Sequence, residues 1–152
     1  EQVLARLLGG GDGEALPGVA ELPPPEVFFD AERRNIYRAF RTLYAEGTGP
    51  PPPARAVLAA LGTEGRAVDR VAQLLLEEEV SPGKTGLGES LQQLVDRWLR
   101  QRLKDSATEL KDAARRGDAA RVGEILAERA SLTRILRQSE AKPGWPGPAI
   151  EP

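Results

Sequence analysis

The strongest hydrophobic pattern in the chain lies between Glu89 and Gln138 and consists of two consecutive segments. Apolar residues recur in each at steps of three and four, the spacing that puts side chains on one face of an α-helix. The first segment carries Leu91, Leu94, Val95, Trp98, Leu99, Leu103, Ala107 and Leu110. The second carries Val122, Ile125, Leu126, Leu132, Ile135 and Leu136. Between them Gly117 and Asp118 provide a helix stop followed by an N-cap, so we predict an antiparallel helical hairpin.

The residues before this hairpin show the same helical period in shorter stretches. Helices are predicted over residues 1–8, 30–46, 54–61 and 63–79, and a single turn over 19–22; glycine and proline interrupt the pattern between them. Asp30 and Thr63 are the expected N-caps of the second and fourth helices. The predicted buried positions are Ile36, Tyr37, Phe40, Leu43, Tyr44, Val57, Leu58, Leu61, Val68, Val71, Ala72 and Leu75.

No segment shows the period of two that is typical of a strand, so the predicted fold class is all-α. We expect a compact helical bundle over residues 1–87, followed by a long helix and the antiparallel helical hairpin over 88–138. Residues 139–152 form a tail rich in Pro and Gly around Trp145, and we expect it to lack regular structure. Five of the seven aromatic residues fall between Phe28 and Tyr44, which places the predicted centre of the bundle core there.

Composition narrows the possible functions. The chain contains no Cys, His or Met, so the usual nucleophile, the imidazole base and the soft metal ligands are all absent. It opens on Glu1 within a helical pattern, and we therefore expect a fragment of a longer protein. No run of eighteen apolar residues is present, which favours a soluble protein. Catalysis would have to rest on Asp, Glu, Lys, Ser or Tyr, and the pattern assembles no such site, so we expect neither an enzyme nor a metal or cofactor site within this chain.

The formal net charge of −2 conceals an uneven distribution. Residues 1–96 carry nine Lys or Arg and fifteen Asp or Glu, whereas residues 97–137 carry eleven and six. A basic hairpin on an acidic bundle could contact nucleic-acid phosphates, an acidic partner protein, or carboxylates of its own chain. Four arginines on the polar side of the aromatic helix, for which we expect ion pairs with the acidic bundle, are Arg33, Arg34, Arg38 and Arg41.

Two short motifs resemble ligand sites. The tripeptide 83–85, Gly-Lys-Thr, matches the end of a phosphate-binding loop, but Glu78 stands where that loop needs its first glycine, and a helix precedes it instead of a strand. The run Glu77–Glu79 spreads over about 200° of a helix, so its carboxylates cannot converge on one ion. We therefore interpret the first motif as a connector and the second as a solvated face.

The order of elements resembles the C-terminal domain of bacterial replicative DNA primase, over nearly all of the chain. The resemblance rests on the starter helix, on Phe28-Phe29-Asp30-x-Glu32-Arg33-Arg34-x-Ile36-Tyr37-x-x-Phe40, on Tyr44-Ala45-Glu46-Gly47, and on Leu126-x-Glu128-x-x-x-Leu132-x-x-x-Leu136. The N-terminal domain of the replicative helicase is similar over residues 1–80 and is the alternative. The hairpin close to the carboxyl end, followed only by a short tail, favours the primase family.

The resemblance implies a module of the bacterial cytoplasm that docks on the N-terminal collar of the hexameric replicative helicase, recruits primase for RNA primer synthesis and modulates the helicase. In that family the zinc-binding and magnesium-dependent polymerase parts, which give the parent protein its DNA-directed RNA polymerase activity, lie upstream of this domain. Some members also bind the acidic tail of single-stranded-DNA-binding protein. Direct nucleic-acid binding and membrane binding are not expected.

Surplus apolar surface on a projecting hairpin is itself typical of a protein contact. We expect the second arm to supply apolar anchors at Ile125, Leu132, Ile135 and Leu136. A charged rim is expected at Arg129, Arg134 and Arg137. The sequence does not divide these side chains between the partner and the opposite arm. A basic hairpin that binds nucleic acid is the remaining alternative, and it would need stacking aromatics, of which the hairpin has only Trp98.

Overall fold

The computed structural model describes residues 2–9, 16–47, 49–62, 65–80 and 86–142. The helices are α1 Gln2–Gly9, α2 Ala31–Glu46, α3 Ala54–Leu61, α4 Gly65–Val80, α5 Leu87–Arg116 and α6 Ala119–Ala141. Two 3₁₀ turns, Val19–Glu21 and Pro25–Val27, lie between α1 and α2. No strand occurs within these ranges, so the all-α prediction is confirmed, and α5 and α6 pack together as the predicted antiparallel hairpin.

The aromatic helix α2 holds the extended segment that leads into it. The Asp30 carboxylate accepts a hydrogen bond from the Arg33 backbone N–H at 2.9 Å, which is the predicted N-cap. The buried Tyr37 hydroxyl donates to the Pro23 carbonyl at 2.6 Å, and the Phe28 and Tyr37 rings lie 4.7 Å apart. Apolar packing and one buried hydrogen bond thus fix the prolines of this segment on α2.

A single hydrophobic core extends through the bundle and into the hairpin. Its largest fully buried side chains are Tyr37, Phe40, Leu4, Leu7, Ile36, Leu74, Leu91, Leu99, Val27, Val57 and Val71. The first half of α5 supplies Leu91, Val95 and Leu99 to the bundle, and α6 contacts α5 from Glu109 back to Gln92. The bundle and the hairpin therefore share one uninterrupted helix.

The predicted buried face of α4 is partly wrong. Val71 is buried as expected, but Val68 is 41 % exposed and Ala72 is also exposed, whereas Leu74, which the pattern analysis omitted, is buried. The apolar residues of α4 cover one wide arc, and the part that carries Val71, Leu74 and the half-buried Leu75 packs on the core. The part that carries Val68, Ala72 and Leu76 remains at the surface.

Other predictions need correction or fall outside the described residues. Arg34 donates to the carbonyls of Phe28 at 2.9 Å and Phe29 at 3.1 Å, so its described partners are backbone oxygens and not the expected carboxylates. Helix α6 continues to Ala141, so residues 139–141 are helical although we assigned them to the tail. The expected cap at residue 63, the motif at 83–85, the side chains of 77–79 and Trp145 lie outside what the structure describes.

The buried hydroxyl of Tyr37 makes the stability of the protein depend on pH. Burial raises the pKa of Tyr37 above its ordinary value, and the charge of Arg41 offsets only part of that effect. Because the pKa of Tyr37 is higher in the folded state, the contribution of its hydroxyl to the free energy of unfolding is complete below about pH 10. That contribution is lost as pH rises above that value. Replacing Tyr37 by Phe removes the titration and leaves the Pro23 carbonyl unpaired, which costs about 1–2 kcal/mol at neutral pH.

Urea unfolding of the wild type and Tyr37→Phe at pH 7 and pH 11 tests this. We expect the wild type to be the more stable at pH 7 and its advantage to shrink at pH 11. If the wild type and Tyr37→Phe differ in free energy of unfolding by the same amount at both pH values, the stability does not depend on the protonation of the Tyr37 hydroxyl.

Candidate protein-interaction surface on the hairpin

The turn between α5 and α6 forms as the sequence predicts. Gly117 adopts a left-handed conformation with φ of 69°, which a residue with a Cβ rarely adopts, and its N–H donates to the Ala114 carbonyl. The Asp118 carboxylate then accepts from the Arg121 backbone N–H at 3.0 Å and starts α6. These two residues reverse the chain within one turn and bring α6 back along α5.

Apolar side chains between the arms hold them together. Ile125 is 1 % exposed and Leu132 is 7 % exposed, and on α5 Ala113 is buried as well. Ile135 and Leu136 are half-buried and pack on the main core. All four predicted apolar anchors therefore contact the chain itself, and the two with the least exposure cannot reach a partner in this conformation.

Polar contacts fix the register of the two arms. The Arg129 guanidinium turns inward and donates from Nη1 to the Leu103 carbonyl at 2.6 Å and to Ser106 Oγ at 2.8 Å. Ser106 is fully buried and its hydroxyl donates to the same carbonyl at 2.8 Å. Because Ser106 is out of water, a shift of α6 along α5 that removed Arg129 would cost its hydroxyl a partner, about 1–3 kcal/mol for a buried polar group.

An ion-pair network crosses the hairpin beside these contacts. Arg102 bridges Glu128 at 2.7 Å and Glu109 at 3.1 Å, and Arg121 bridges Glu109 at 3.1 Å and Glu124 at 2.9 Å. Partial burial lowers the pKa of Arg102, but the hydrogen bonds and charges of Glu128 and Glu109 outweigh that effect, and its pKa is raised. Some of the basic excess of the hairpin is thus neutralised by its own carboxylates.

A second polar cluster joins the arms near the end of α6. Ser139 is 2 % exposed, and its hydroxyl donates to Asp96 Oδ1 at 2.5 Å. The Gln92 side-chain amide donates to Asp96 at 3.1 Å and also to Ser139 Oγ. On the surface nearby, Arg100 pairs with Glu140 at 3.2 Å. These contacts order the last turn of α6, which the sequence analysis assigned to the tail.

The outward side of α6 has a different character. Leu126 is 51 % exposed, and Ala130, Arg134 and Arg137 follow it at steps of four, four and three residues, which keeps them on one side of the helix. Within the described part of the chain, neither Arg134 nor Arg137 has a hydrogen bond or an ion pair. We call Leu126, Ala130, Arg134 and Arg137 the outer face of α6. A shallow groove beside it is lined by Arg129, Ala130, Thr133, Arg134, Arg137, Gln138 and Ala141.

The structure thus divides the seven predicted partner-binding residues. Arg134 and Arg137 are exposed together, whereas Ile125 and Leu132 are buried between the arms and Arg129 points inward. Sequence analysis missed Leu126 and Ala130 as surface positions. The available signal was that the apolar residues of α6 surround the helix instead of forming one stripe, which indicates two contact surfaces.

Other kinds of site are not seen in the described ranges. Across residues 2–9, 16–47, 49–62, 65–80 and 86–142, no cluster of three or more Asp, Glu, His or Cys side chains is arranged to hold a metal ion. None of the helices in those ranges combines the length and apolarity needed to cross a bilayer.

The neighbouring residues Ile125 and Leu126 offer a matched test of the two sides of α6. Replacing Ile125 by Ala opens a cavity between the arms and is expected to cost about 2–4 kcal/mol. The same truncation at Leu126 removes a half-exposed side chain and should change the free energy of unfolding by about 0.5 kcal/mol or less. Urea denaturation followed by circular dichroism measures both free energies. Equal losses would contradict the orientation of α6 in which Ile125 faces α5 and Leu126 faces solvent.

Against known proteins, no protein-family model, no curated protein and no solved structure matches this chain.

Proposed function

We propose that this chain is a non-catalytic protein-interaction module of a bacterial DNA primase. In this proposal it docks on the N-terminal collar of the hexameric replicative helicase, in the cytoplasm, and so brings primase to the replication fork. The family assignment rests on the sequence resemblance described above. The observation that supports a docking role is the outer face of α6, where an exposed leucine lies beside two arginines that have no partner within the described residues.

The charge arrangement of α6 supports an acidic partner surface. Its carboxylates are already engaged, because Glu124 pairs with Arg121, Glu128 with Arg102 and Glu140 with Arg100. Arg134 and Arg137 therefore present positive charge that no carboxylate on α6 cancels. A partner that places carboxylates opposite them gains attraction and a faster encounter, and it discriminates against basic surfaces.

The apolar part of the outer face fits a protein better than a nucleic acid. Leu126 and Ala130 offer a smooth apolar path without an aromatic ring on which a base could stack. Trp98, the only aromatic residue of the hairpin, is half-buried and packs on the main core. The combination of an apolar centre with a basic rim is typical of a helix that packs against a helix of another protein.

The experiment measures binding of this chain to the hexameric replicative helicase of the same organism by isothermal titration calorimetry. We expect Arg134→Glu with Arg137→Glu to weaken binding by about 2 kcal/mol, roughly 30-fold, because two attractive charges become repulsive. Leu126→Asp should weaken it by at least about 1 kcal/mol. Because these side chains are exposed, the variants should keep the fold, whereas a carboxylate at the buried Leu132 would disrupt the hairpin itself.

The matched control is Arg97→Glu with Lys104→Glu, which reverses two exposed charges on the other arm of the hairpin. Its affinity for the helicase should stay within about threefold of the wild type, as expected for a change outside the contact. If the wild-type chain does not bind the helicase, the proposed function is wrong. If both charge reversals weaken binding equally, the contact is not confined to the outer face of α6.

A further inference from the structure

The solvent-facing side of α5 carries a row of basic residues along most of the hairpin. Its members are all exposed and follow one another at steps of three, four, seven and four residues, which keeps them on one side of the helix. They are Arg97, Arg100, Lys104, Lys111 and Arg115. We call these five residues the α5 stripe, which is about 27 Å long at 1.5 Å per residue.

The aspartates of α5 do not interrupt the stripe. Asp96 directly precedes a member of the stripe, and Asp105 and Asp112 directly follow one, so each points about 100° away from it. Asp96 already accepts a hydrogen bond from Ser139, and Asp105 accepts one from Gln101 at 2.8 Å. These carboxylates therefore flank the stripe and do not lie on it.

The two glutamates of α5 lie elsewhere. Glu109 pairs with Arg102 on its own helix and with Arg121 on α6. Glu89 lies eight residues before Arg97, about 12 Å beyond the end of the stripe. The charges on the stripe itself are therefore all positive.

Most of this positive charge is not cancelled by the chain. Two members of the stripe have an ion pair, Arg100 with Glu140 at 3.2 Å and Arg115 with Asp112 at 3.7 Å, and all four side chains are exposed. Within the described part of the chain, the other three members have no hydrogen bond and no ion pair. These three are Arg97, Lys104 and Lys111, at intervals of seven residues or about 10.5 Å.

We propose that the α5 stripe binds the phosphate backbone of double-stranded DNA, without regard to sequence. Charge and length both fit this ligand. A duplex carries one phosphate per 3.4 Å on each strand, so a straight stripe of about 27 Å spans about eight base pairs. Over that distance each long basic side chain has several phosphate oxygens within its reach, and contacts to phosphates carry no sequence information.

The stripe lacks what the other partners of a basic helix require. A protein interface needs an apolar centre, and a helix that lies on a bilayer needs an apolar face. All five members are charged, and Thr108, the exposed position between Lys104 and Lys111, is polar. A row of cations without an apolar residue suits a ligand that offers only charge, and duplex DNA offers it at the highest density, about one per 1.7 Å.

This contact differs from the nucleic-acid alternative considered in the sequence analysis. That alternative requires aromatic rings on which the bases of a single strand can stack, and Trp98 is half-buried on the main core. A duplex keeps its bases stacked on each other, so contacts to its backbone need no aromatic residue. On the outer face of α6, by contrast, Arg134 and Arg137 form a single pair beside Leu126 and do not continue as a row.

The number of cations sets the strength of the contact and its dependence on salt. Each phosphate contact contributes about −0.9 to the slope of log K against log salt, so three to five contacts give about −3 to −4.5. Affinity should then fall at least about 40-fold between about 50 mM and about 200 mM salt. We expect a Kd on the order of 10 µM at about 50 mM salt. A contact of this strength adds to a stronger attachment and does not replace one.

Fluorescence anisotropy of a fluorescein-labelled DNA duplex of about 20 base pairs, longer than the stripe, measures this affinity. The test variant is Arg97→Gln with Lys104→Gln and Lys111→Gln, which removes the three cations without partners. We expect it to bind at least tenfold more weakly at about 50 mM salt and to lower the slope by about 2 to 3, because three phosphate contacts are lost. The variant should keep the fold, since these positions are exposed and Gln forms helix about as well as Lys and Arg.

The matched control is Arg55→Gln with Arg134→Gln and Arg137→Gln, which removes the same number of exposed charges from α3 and α6. Its affinity should stay within about threefold of the wild type, because only long-range attraction changes. Equal weakening of both triple variants would show that net charge and not the stripe attracts the duplex, and it would overturn the proposal. A wild type that does not bind the duplex at about 50 mM salt, even at about 1 mM chain, also overturns it.

Two other ligands test the choice of duplex DNA. A single strand of the same length should bind at least about fivefold more weakly, because its charge density is lower and the stripe offers no ring for stacking. A single strand that binds as tightly as the duplex overturns the proposal. Poly-L-glutamate imitates an acidic protein segment; if it displaces the labelled duplex as well as unlabelled duplex does, the stripe binds acidic protein and the proposal is wrong.

Duplex binding does not depend on the function proposed above. Arg97→Glu with Lys104→Glu should lose the duplex and still bind the helicase. Arg134→Glu with Arg137→Glu should lose the helicase and still bind the duplex, because the two pairs of charges lie on different helices. Failure of one proposal is therefore distinguishable from failure of the other.

Discussion

The structure depends on one constraint: α5 must bury one side along its whole length, against both the bundle and α6, without a break. Over its first half it presents Leu91, Val95 and Leu99 to the bundle, and over its second half it presents Ser106 and Ala113 to α6. Steps of four and seven residues from Leu91 to Ala113 keep these positions on one side, so one helix of 30 residues serves both neighbours. The bundle core therefore fixes where the hairpin projects.

Much of this fold could be predicted because its boundaries are set by local chemistry. Asp30 and Asp118 cap helices through their own side chains, and Gly117 adopts the positive φ that ends α5. Such signals depend on only a few neighbouring residues, so they can be recognised in the sequence without the tertiary structure. The aromatic face of α2 was also predictable, since Ile36, Tyr37 and Phe40 follow a single helical stripe.

The candidate interaction surface could not be predicted in the same way. The apolar residues of α4 cover a wide arc and those of α6 surround the helix, so periodicity alone does not say which part packs inside the chain. On α4 the pattern favoured Val68, Val71, Ala72 and Leu75, whereas the packing buries Val71 and Leu74 and leaves Val68 and Ala72 exposed. On α6 it placed Ile125 and Leu126 in one stripe, although only the first is buried.

Polar side chains decide this choice on α6. Adjacent helical residues point about 100° apart, so burying Leu126 in place of Ile125 requires the helix to rotate by that angle. The rotation would carry Arg129 away from the Leu103 carbonyl and Glu128 away from Arg102, and it would leave partly buried charges without partners. Hydrophobic burial alone would favour either leucine or isoleucine almost equally. The inward contacts of Arg129 and Glu128 therefore determine that Leu126, Arg134 and Arg137 remain outside, where a second protein can reach them.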